Sequence, residues 1–190
     1  MKRPAVFLDR DGTICEEVGY LDCPERLRLI PRSPEAIRRI NQWGMGTVVV
    51  TNQSGVARGY FSEADLREVH ERLLRLLEEQ GAFLDGIYYC PHHPTVGEPP
   101  YRKVCSCRKP SSGLLLQAAT DLDLDLRFSY AVGDRWADLE GAMRLGARGV
   151  LVLTGYGREE LAAGQRSGVS HVAGDLYEAV EWILKDMAER

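Results

Sequence analysis

The chain alternates short apolar runs with amphipathic stretches, and this alternation restricts the fold more than any other feature. Ala5-Val6-Phe7-Leu8 is a continuous apolar run that ends in acids. Thr47-Val48-Val49-Val50 and Tyr130-Ala131-Val132 end in polar or glycine residues, Gly149-Val150-Leu151-Val152-Leu153 is a fourth run, and Gly86-Ile87-Tyr88-Tyr89 a weaker fifth. Apolar runs this short, without polar alternation, read as strands covered on both faces, as in parallel sheets. The segments between them read as helices. Ser33-Pro34-Glu35 offers an N-cap followed by proline at the first helical position, leading into Ala36, Ile37, Ile40 and Trp43 on one side. Ser62 with Asp65 predicts a capping box, and Leu66, Val69, Leu73, Leu76 and Leu77 form a stripe that stops at Gly81. Further helices are expected over 114–119, 138–145 and 176–187. Strands alternating with helices imply right-handed βαβ crossovers and an α/β fold, a doubly wound, mainly parallel sheet with helices on both faces. Ligands of such sheets sit beyond the carboxyl ends of the strands.

With 190 residues, 44% hydrophobic and 27% charged, the chain has the composition of one globular domain spanning 1–190, and it carries no repeat and no linker. The net charge of -4 is the wrong sign for general adhesion to nucleic acid or to an anionic membrane. No apolar run spans a bilayer, and the N-terminal one is cut off by Asp9, so no export signal is visible and a cytoplasmic location is expected. Composition carries no dimer signal, and a monomer is the default.

Polar clusters follow the strands: Asp9, Asp11, Gly12 and Thr13 after the first, Thr51, Asn52, Gln53 and Ser54 after the second, and Gly133, Asp134 and Asp138 after Tyr130-Ala131-Val132, with Lys109 in a loop feeding a helix. Asp9 and Asp11 point to the same side in extended geometry. Two like charges about 4 Å apart near a surface repel by roughly 4 kcal/mol, so Asp9, Asp11 and Asp134 together call for a divalent ion, and all-oxygen ligands favour Mg²⁺. A lone Asp-x-Asp is more often a turn than a site; four clusters converging on one sheet edge reverse that reading.

The ordered set Asp9-Arg10-Asp11-Gly12-Thr13, Thr51-Asn52-Gln53, Lys109-Pro110 and Gly133-Asp134 with Asp138 resembles the motifs of haloacid dehalogenase-type phosphohydrolases, over residues 7–138. The resemblance implies a Rossmann-like sheet and phosphoryl transfer through an aspartyl phosphate, with Asp9 as nucleophile. Asp11 is then the general acid and afterwards the base, and an acid at that position marks a phosphatase. Thr51 and Lys109 hold the phosphoryl oxygens. Asp134 binds Mg²⁺ with Asp9 and the backbone carbonyl of Asp11, and Asp138 orients Lys109 or a metal-bound water. Arg135 departs from the pattern of close relatives, which carry lysine there.

Cys90-Pro91-His92-His93 and Cys105-Ser106-Cys107 supply two close pairs of soft or borderline donors, which suit a tetrahedral Zn²⁺ held by Cys90, His92, Cys105 and Cys107, with His93 as the competing histidine. Closed coordination makes this ion structural, and it supplies the folding energy that a proline-rich loop over about 90–107 lacks. Cys15 and Cys23 read as small apolar residues. The loop leads into Arg108-Lys109-Pro110, and Tyr101 to Lys109 contains four basic residues and no acidic one, a surplus suited to a second phosphate. The combination resembles the heptose 1,7-bisphosphate 7-phosphatase branch of the family, in which a zinc loop replaces a large cap domain; the histidinol-phosphate phosphatase branch shares nearly all of these motifs. The resemblance implies that Glu17, Gly19, Tyr20, Asn52, Gln53, Ser54, Arg108 and Arg135 contact a small phosphorylated sugar, a precursor of lipopolysaccharide heptose. The amino group of histidinol phosphate prefers acidic neighbours, and the basic loop therefore favours the sugar bisphosphate. A zinc-dependent module for nucleic-acid ends needs a stripe of basic and aromatic residues, whereas the basic residues here occupy one short loop and aromatics are 8%.

Overall fold

The computed structural model describes residues 2–164 and 168–190. Six parallel strands, β1 (Ala5–Leu8), β2 (Gly46–Asn52), β3 (Gly86–Cys90), β4 (Tyr130–Gly133), β5 (Arg148–Val152) and β6 (His171–Ala173), form one sheet in the order β3-β2-β1-β4-β5-β6. Alternate residues of each strand face opposite sides. Val6, Leu8, Val49, Val132 and Val150 pack with α1 (Ser33–Gln42), α2 (Glu63–Glu78) and α6 (Leu176–Ala188). Ala5, Phe7, Val48, Val50, Ala131 and Leu151 face the other way, onto α3 (Gly113–Asp121) and α4 (Trp136–Met143). The strands are apolar at every position because both faces are covered. The chain winds from β1 outward to β3, then returns through α3 to place β4 on the other side of β1, and this reversal opens a crevice at the carboxyl ends of β1 and β4.

The capping box of α2 forms: Ser62 Oγ accepts from Asp65 N at 3.2 Å and Asp65 Oδ2 accepts from Ser62 N at 2.7 Å. The apolar stripe is buried at Leu66, Val69, Leu73 and Leu77, Leu76 is half-buried, and His70 joins the buried face. Three expectations are corrected. Ser33 does not cap α1; it is the first helical residue, follows Arg32 in the left-handed region (φ 64), and its hydroxyl donates to the carbonyls of Ile14 (2.8 Å) and Ile30 (2.7 Å). Trp43 lies past the end of α1 and is 50% exposed, so the buried side of that helix ends at Ile40. The helix expected at 138–145 begins earlier, at Trp136. The sequence reading also missed β6, a three-residue edge strand, and α5 (Gly157–Ala162), which is too short and polar to show a stripe. Among the described residues no separate cap domain forms; the long β3–α3 connection, residues 91–112, lies beside the crevice.

Candidate active site

A cavity of about 390 Å³ opens at the carboxyl ends of β1 and β2, walled by the connections after β1, β2, β4 and β5 and by the end of the 91–112 loop. Asp9 follows β1 directly and its amide donates to Val132 O at 2.9 Å, which fixes it at the crevice. Lys109 Nζ donates to Asp9 Oδ1 at 2.6 Å and Val50 O at 2.8 Å, and lies 2.7 Å from Asp138 Oδ1. Burial disfavours the charge on Lys109, but Asp138 and Asp9 outweigh it and raise its pKa. Asn52 brackets the backbone of this lysine: its amide oxygen accepts from Lys109 N (3.0 Å) and its amide nitrogen donates to Lys109 O (3.2 Å).

Asp11 is held from the other side. Arg10, fully buried, donates to it from Nε (3.1 Å) and Nη2 (2.8 Å), and Gln53 Nε2 donates at 2.9 Å. Burial pushes Asp11 up, yet the Arg10 guanidinium and the hydrogen bonds from Gln53 and Cys15 more than reverse this, leaving its carboxyl below the ordinary range. Gln53 also accepts from Arg10 Nη2 (3.1 Å) and donates to Thr51 Oγ1 (2.9 Å). Arg10 Nη1 lies 3.1 Å from His70 Nε2; arginine only donates, so this nitrogen accepts. Thus the amides of Gln53 and Asn52, expected at the substrate, are bonded to neighbouring protein groups while still lining the cavity.

Carboxylate oxygens of Asp9, Asp134 and Asp138 lie within 4.8 Å of one another. Asp134 is buried; its Oδ2 accepts from Tyr156 N at 2.8 Å, and its Oδ1 has no hydrogen-bond partner. A buried carboxylate oxygen without a donor is costly, and a cation satisfies it. Burial, then the neighbouring carboxylates, raise Asp134 to about 8; burial raises Asp9 to about 7 against the opposing charge of Lys109. The carboxylates therefore fit a hard divalent ion. The Asp11 side chain stands outside this cluster, turned to Arg10. A Cβ on Gly12 or Gly155 would come within 2.2 Å or 2.1 Å of Asp134 Oδ2, so two glycines make room for this carboxylate.

In the 91–112 loop, Cys107 Sγ is 3.2 Å from Cys90 Sγ and 3.1 Å from Cys105 Sγ, and His92 Nδ1 is 3.6 Å from Cys90 Sγ and 3.2 Å from Cys107 Sγ. All four donors lie within 4.8 Å. Tetrahedral bonds of about 2.3 Å put sulfurs roughly 3.8 Å apart; the three sulfurs here lie 3.1–3.6 Å apart and converge on one point, which a slight expansion fits to a single such ion. His93 is not a rival: its Nδ1 accepts from Thr95 N (3.2 Å) and Val96 N (3.0 Å) and its ring turns toward Arg58. Cys15 is buried in the core and its thiol also donates to Arg10 O, whereas Cys23 is half-buried.

Glu17, Gly19, Tyr20, Ser54, Arg108 and Arg135 all line the cavity. Glu17 accepts from Gly19 N at 2.6 Å, Arg108 donates to His92 O at 3.2 Å, and Arg135 stacks 3.8 Å above the Tyr156 ring. Sequence reasoning missed Arg10, His70, Arg58 and Tyr156. Arg10 left a signal, a basic residue between two acids at the end of a buried strand; Arg58 and Tyr156 left none.

A parallel sheet reversing at β1 and β4, with Asp9 against a buried lysine and a carboxylate cluster beside it, is the arrangement of the haloacid dehalogenase-like hydrolases. The HAD-hydrolase-like family model matches residues 106–179. The chain is 43% identical to D-glycero-D-manno-heptose-1,7-bisphosphate 7-phosphatase of Thermosynechococcus vestitus, over 100% of both chains. It is 39% identical to D-glycero-beta-D-manno-heptose-1,7-bisphosphate 7-phosphatase of Escherichia coli K12, over 98% of this chain and 91% of that one. Among solved structures, D,D-heptose 1,7-bisphosphate phosphatase from B. bronchiseptica, complexed with magnesium and phosphate, superposes with a TM-score of 0.86 at 37% identity, covering 96% of this chain and 99% of that one. The chain belongs to the heptose-1,7-bisphosphate 7-phosphatase family of HAD-like phosphatases.

Proposed function

We propose that this chain, one domain over 1–190 with the 91–112 loop as its insert, hydrolyses the 7-phosphate of D-glycero-D-manno-heptose 1,7-bisphosphate through an aspartyl phosphate on Asp9. The observation that carries the reading is the pairing of two carboxylates in one cavity under opposite control, Asp9 beside Lys109 and Asp11 gripped by Arg10. Asp9, Asp134 and the Asp11 carbonyl would hold Mg²⁺, which when bound would neutralise charge between the attacking carboxylate and the phosphoryl group. The Asp9 carboxylate forms the bond to phosphorus while the bond to the sugar oxygen breaks. Lys109 and Thr51 serve the phosphoryl oxygens. Asp11 gives its proton to the leaving oxygen. In the free protein Arg10 keeps Asp11 ionised, and the negative charge of an entering phosphate ester raises its affinity for that proton. As a carboxylate again, Asp11 takes a proton from the water that attacks phosphorus, which frees Asp9 and releases phosphate.

Zn²⁺ is our assignment for Cys90, His92, Cys105 and Cys107; four protein ligands leave no position for substrate, so its role is structural. Among the described residues no helix is long and apolar enough to cross a membrane. We read the protein as a cytoplasmic monomer acting on a small molecule, with no nucleic-acid or membrane partner. The test is phosphate release with Mg²⁺, comparing kcat/KM for both anomers of the heptose bisphosphate with that for histidinol phosphate. A large preference for the bisphosphate, abolished in Asp9→Asn, is expected. A preference for histidinol phosphate overturns the substrate assignment, and full activity in Asp9→Asn overturns the covalent mechanism.

A further inference from the structure

A histidine at position 70 interrupts the buried apolar stripe of α2, between Leu66 and Val69 on one side and Leu73 and Leu77 on the other. A polar ring in such a stripe costs stability unless a partner satisfies it. Its Nε2 accepts from Arg10 Nη1 at 3.1 Å, which leaves the imidazole proton on Nδ1. Burial and the charge of Arg10 lower the ring's pKa to about 3, so the acceptor persists at neutral pH. Tyr89 of β3 packs against the ring with centroids 5.7 Å apart, and its hydroxyl donates to Glu63 Oε2 at 2.6 Å. Together α2 and β3 fix where this acceptor points.

Arg10 directs its other donors into the site. Nε and Nη2 form a fork on the two oxygens of Asp11, and Nη2 also donates to Gln53 Oε1, so among the described residues His70 is the single partner of Nη1. The guanidinium is planar and rigid, and an acceptor at its third corner therefore sets the plane of the fork and with it the direction of the Asp11 carboxyl. An apolar residue at position 70 would orphan a buried donor, and the guanidinium would tilt to relieve it. A carboxylate there would compete with Asp11 for the charge. A neutral acceptor does neither. Asp11 and Gln53 line the cavity whereas Arg10 and His70 do not, so His70 touches no substrate and acts through the residues that Arg10 holds.

We propose that His70 is a positioning residue for proton transfer to the leaving group: through Arg10 it holds the Asp11 carboxyl in the orientation from which its proton passes to the leaving oxygen as the P–O bond breaks. The assignment rests on the reading of Asp11 as the general acid given above. It gives α2, which contributes no residue to the cavity wall, a part in the reaction.

The experiment measures kcat/KM on phenyl phosphate and on 4-nitrophenyl phosphate for the wild type, His70→Leu, His70→Asn, His70→Gln and Asp11→Asn, with thermal unfolding to verify folding. The two esters have nearly the same shape. A phenol of pKa about 10 leaves poorly without a proton, whereas the nitro group lets 4-nitrophenolate leave without one. The steps reported by kcat/KM run up to departure of the leaving group and exclude hydrolysis of the aspartyl phosphate. A misplaced general acid therefore lowers the phenyl-to-nitrophenyl ratio, and a purely structural defect lowers both values and leaves the ratio unchanged. The ratio should fall about tenfold in His70→Leu and in His70→Asn, whose amide is too short to bring its oxygen to the place of Nε2. It should stay within about threefold of the wild type in His70→Gln, whose longer side chain restores the acceptor. If His70→Leu does not fold, the asparagine and glutamine variants carry the test. A ratio unchanged in His70→Leu and His70→Asn, or lowered as far in His70→Gln, while Asp11→Asn lowers it at least about thirtyfold, overturns the role of His70 alone. An unchanged ratio in Asp11→Asn overturns the reading of Asp11 as the general acid, and the role of His70 with it.

Discussion

Replacing Arg10 by methionine tests whether the buried guanidinium is what permits an acid at position 11. The side chain is fully buried and makes two hydrogen bonds to Asp11, one to Gln53 and one to His70. Methionine fills much of the volume but leaves a carboxylate, an amide oxygen and an imidazole nitrogen without their donor. Breaking a buried ion pair by removing one partner costs about 3–5 kcal/mol. The Asp11 side chain keeps 20% of its surface exposed and so retains some solvation, which places the expected loss near the lower bound, at about 3 kcal/mol. For a chain of 190 residues this lowers Tm by roughly 6–12 °C. The double variant Arg10→Met/Asp11→Asn removes the orphaned charge and should recover at least about 1 kcal/mol of that loss. Denaturant unfolding of the four members of the cycle, with metal content held constant, measures both quantities. A single variant within about 1 kcal/mol of the wild type, or a double variant no more stable than Arg10→Met, would refute the argument that a buried charge pair holds Asp11 in place.

Other consequences concern pH and the two metal sites. Burial and the positive charge of Arg10 lower His70 to about 3, so it stays neutral in the folded chain while the unfolded chain takes up a proton below about 6.5. Its contribution to stability is complete above that pH and is lost as pH falls toward 3. Between pH 7.5 and 5 the wild type should therefore lose about 2 kcal/mol more than His70→Gln in urea unfolding, and equal pH dependence in the two proteins would contradict this. Gly155→Ala forces a Cβ to within 2.1 Å of Asp134 Oδ2 and 2.7 Å of Gly12 Cα, so the Mg²⁺ concentration for half-maximal activity should rise about tenfold or more; an unchanged Mg²⁺ titration would show that Asp134 is not a metal ligand. The protein as purified should hold about one zinc per chain by elemental analysis, and Cys107→Ser should lose it; retention of a full equivalent in that variant would exclude Cys107 from the ligand set.

The strands could be read from sequence because both faces of the sheet are covered, which leaves uninterrupted apolar runs such as Thr47-Val48-Val49-Val50 inside β2. The candidate site was legible for a related reason. In a parallel sheet, residues that follow strands are brought to one edge by topology alone, and Asp9, Thr51 and Asp134 each follow a strand or sit near its end. What escaped were relations between side chains. Nothing in the run Thr51-Asn52-Gln53 distinguishes an amide directed at substrate from one that brackets Lys109 or joins Arg10 to Asp11, because that depends on a partner 57 or 43 residues away. Similarly, Ser33 matches an N-cap pattern, but the carbonyls of Ile14 and Ile30 lie within reach and turn its hydroxyl into a donor. Arg58 gave no sequence signal because its turn is defined by the close approach of Gly97, in the 91–112 loop, to Ala57.

The order of these contacts explains how a loop with little apolar content can set the position of Lys109. Lys109 lies two residues beyond Cys107, a span of at most about 7 Å of extended chain, so an ion fixing the thiolate also limits where the lysine backbone can go. Asn52 then fixes that backbone from β2, with hydrogen bonds of 3.0 Å and 3.2 Å to both of its polar groups. With the backbone held at both points, Nζ needs only its own rotamers to lie between Asp9 and Asp138. If the zinc loop acts this way, partial removal of zinc should lower kcat before the sheet unfolds, because the lysine loses its register while β1 and β4 still place Asp9 and Asp134. Stopped-flow mixing with a chelator, following activity and far-UV circular dichroism together, separates the two events. Loss of activity that strictly coincides with loss of helical signal would mean that the ion supports the whole fold rather than the placement of Lys109.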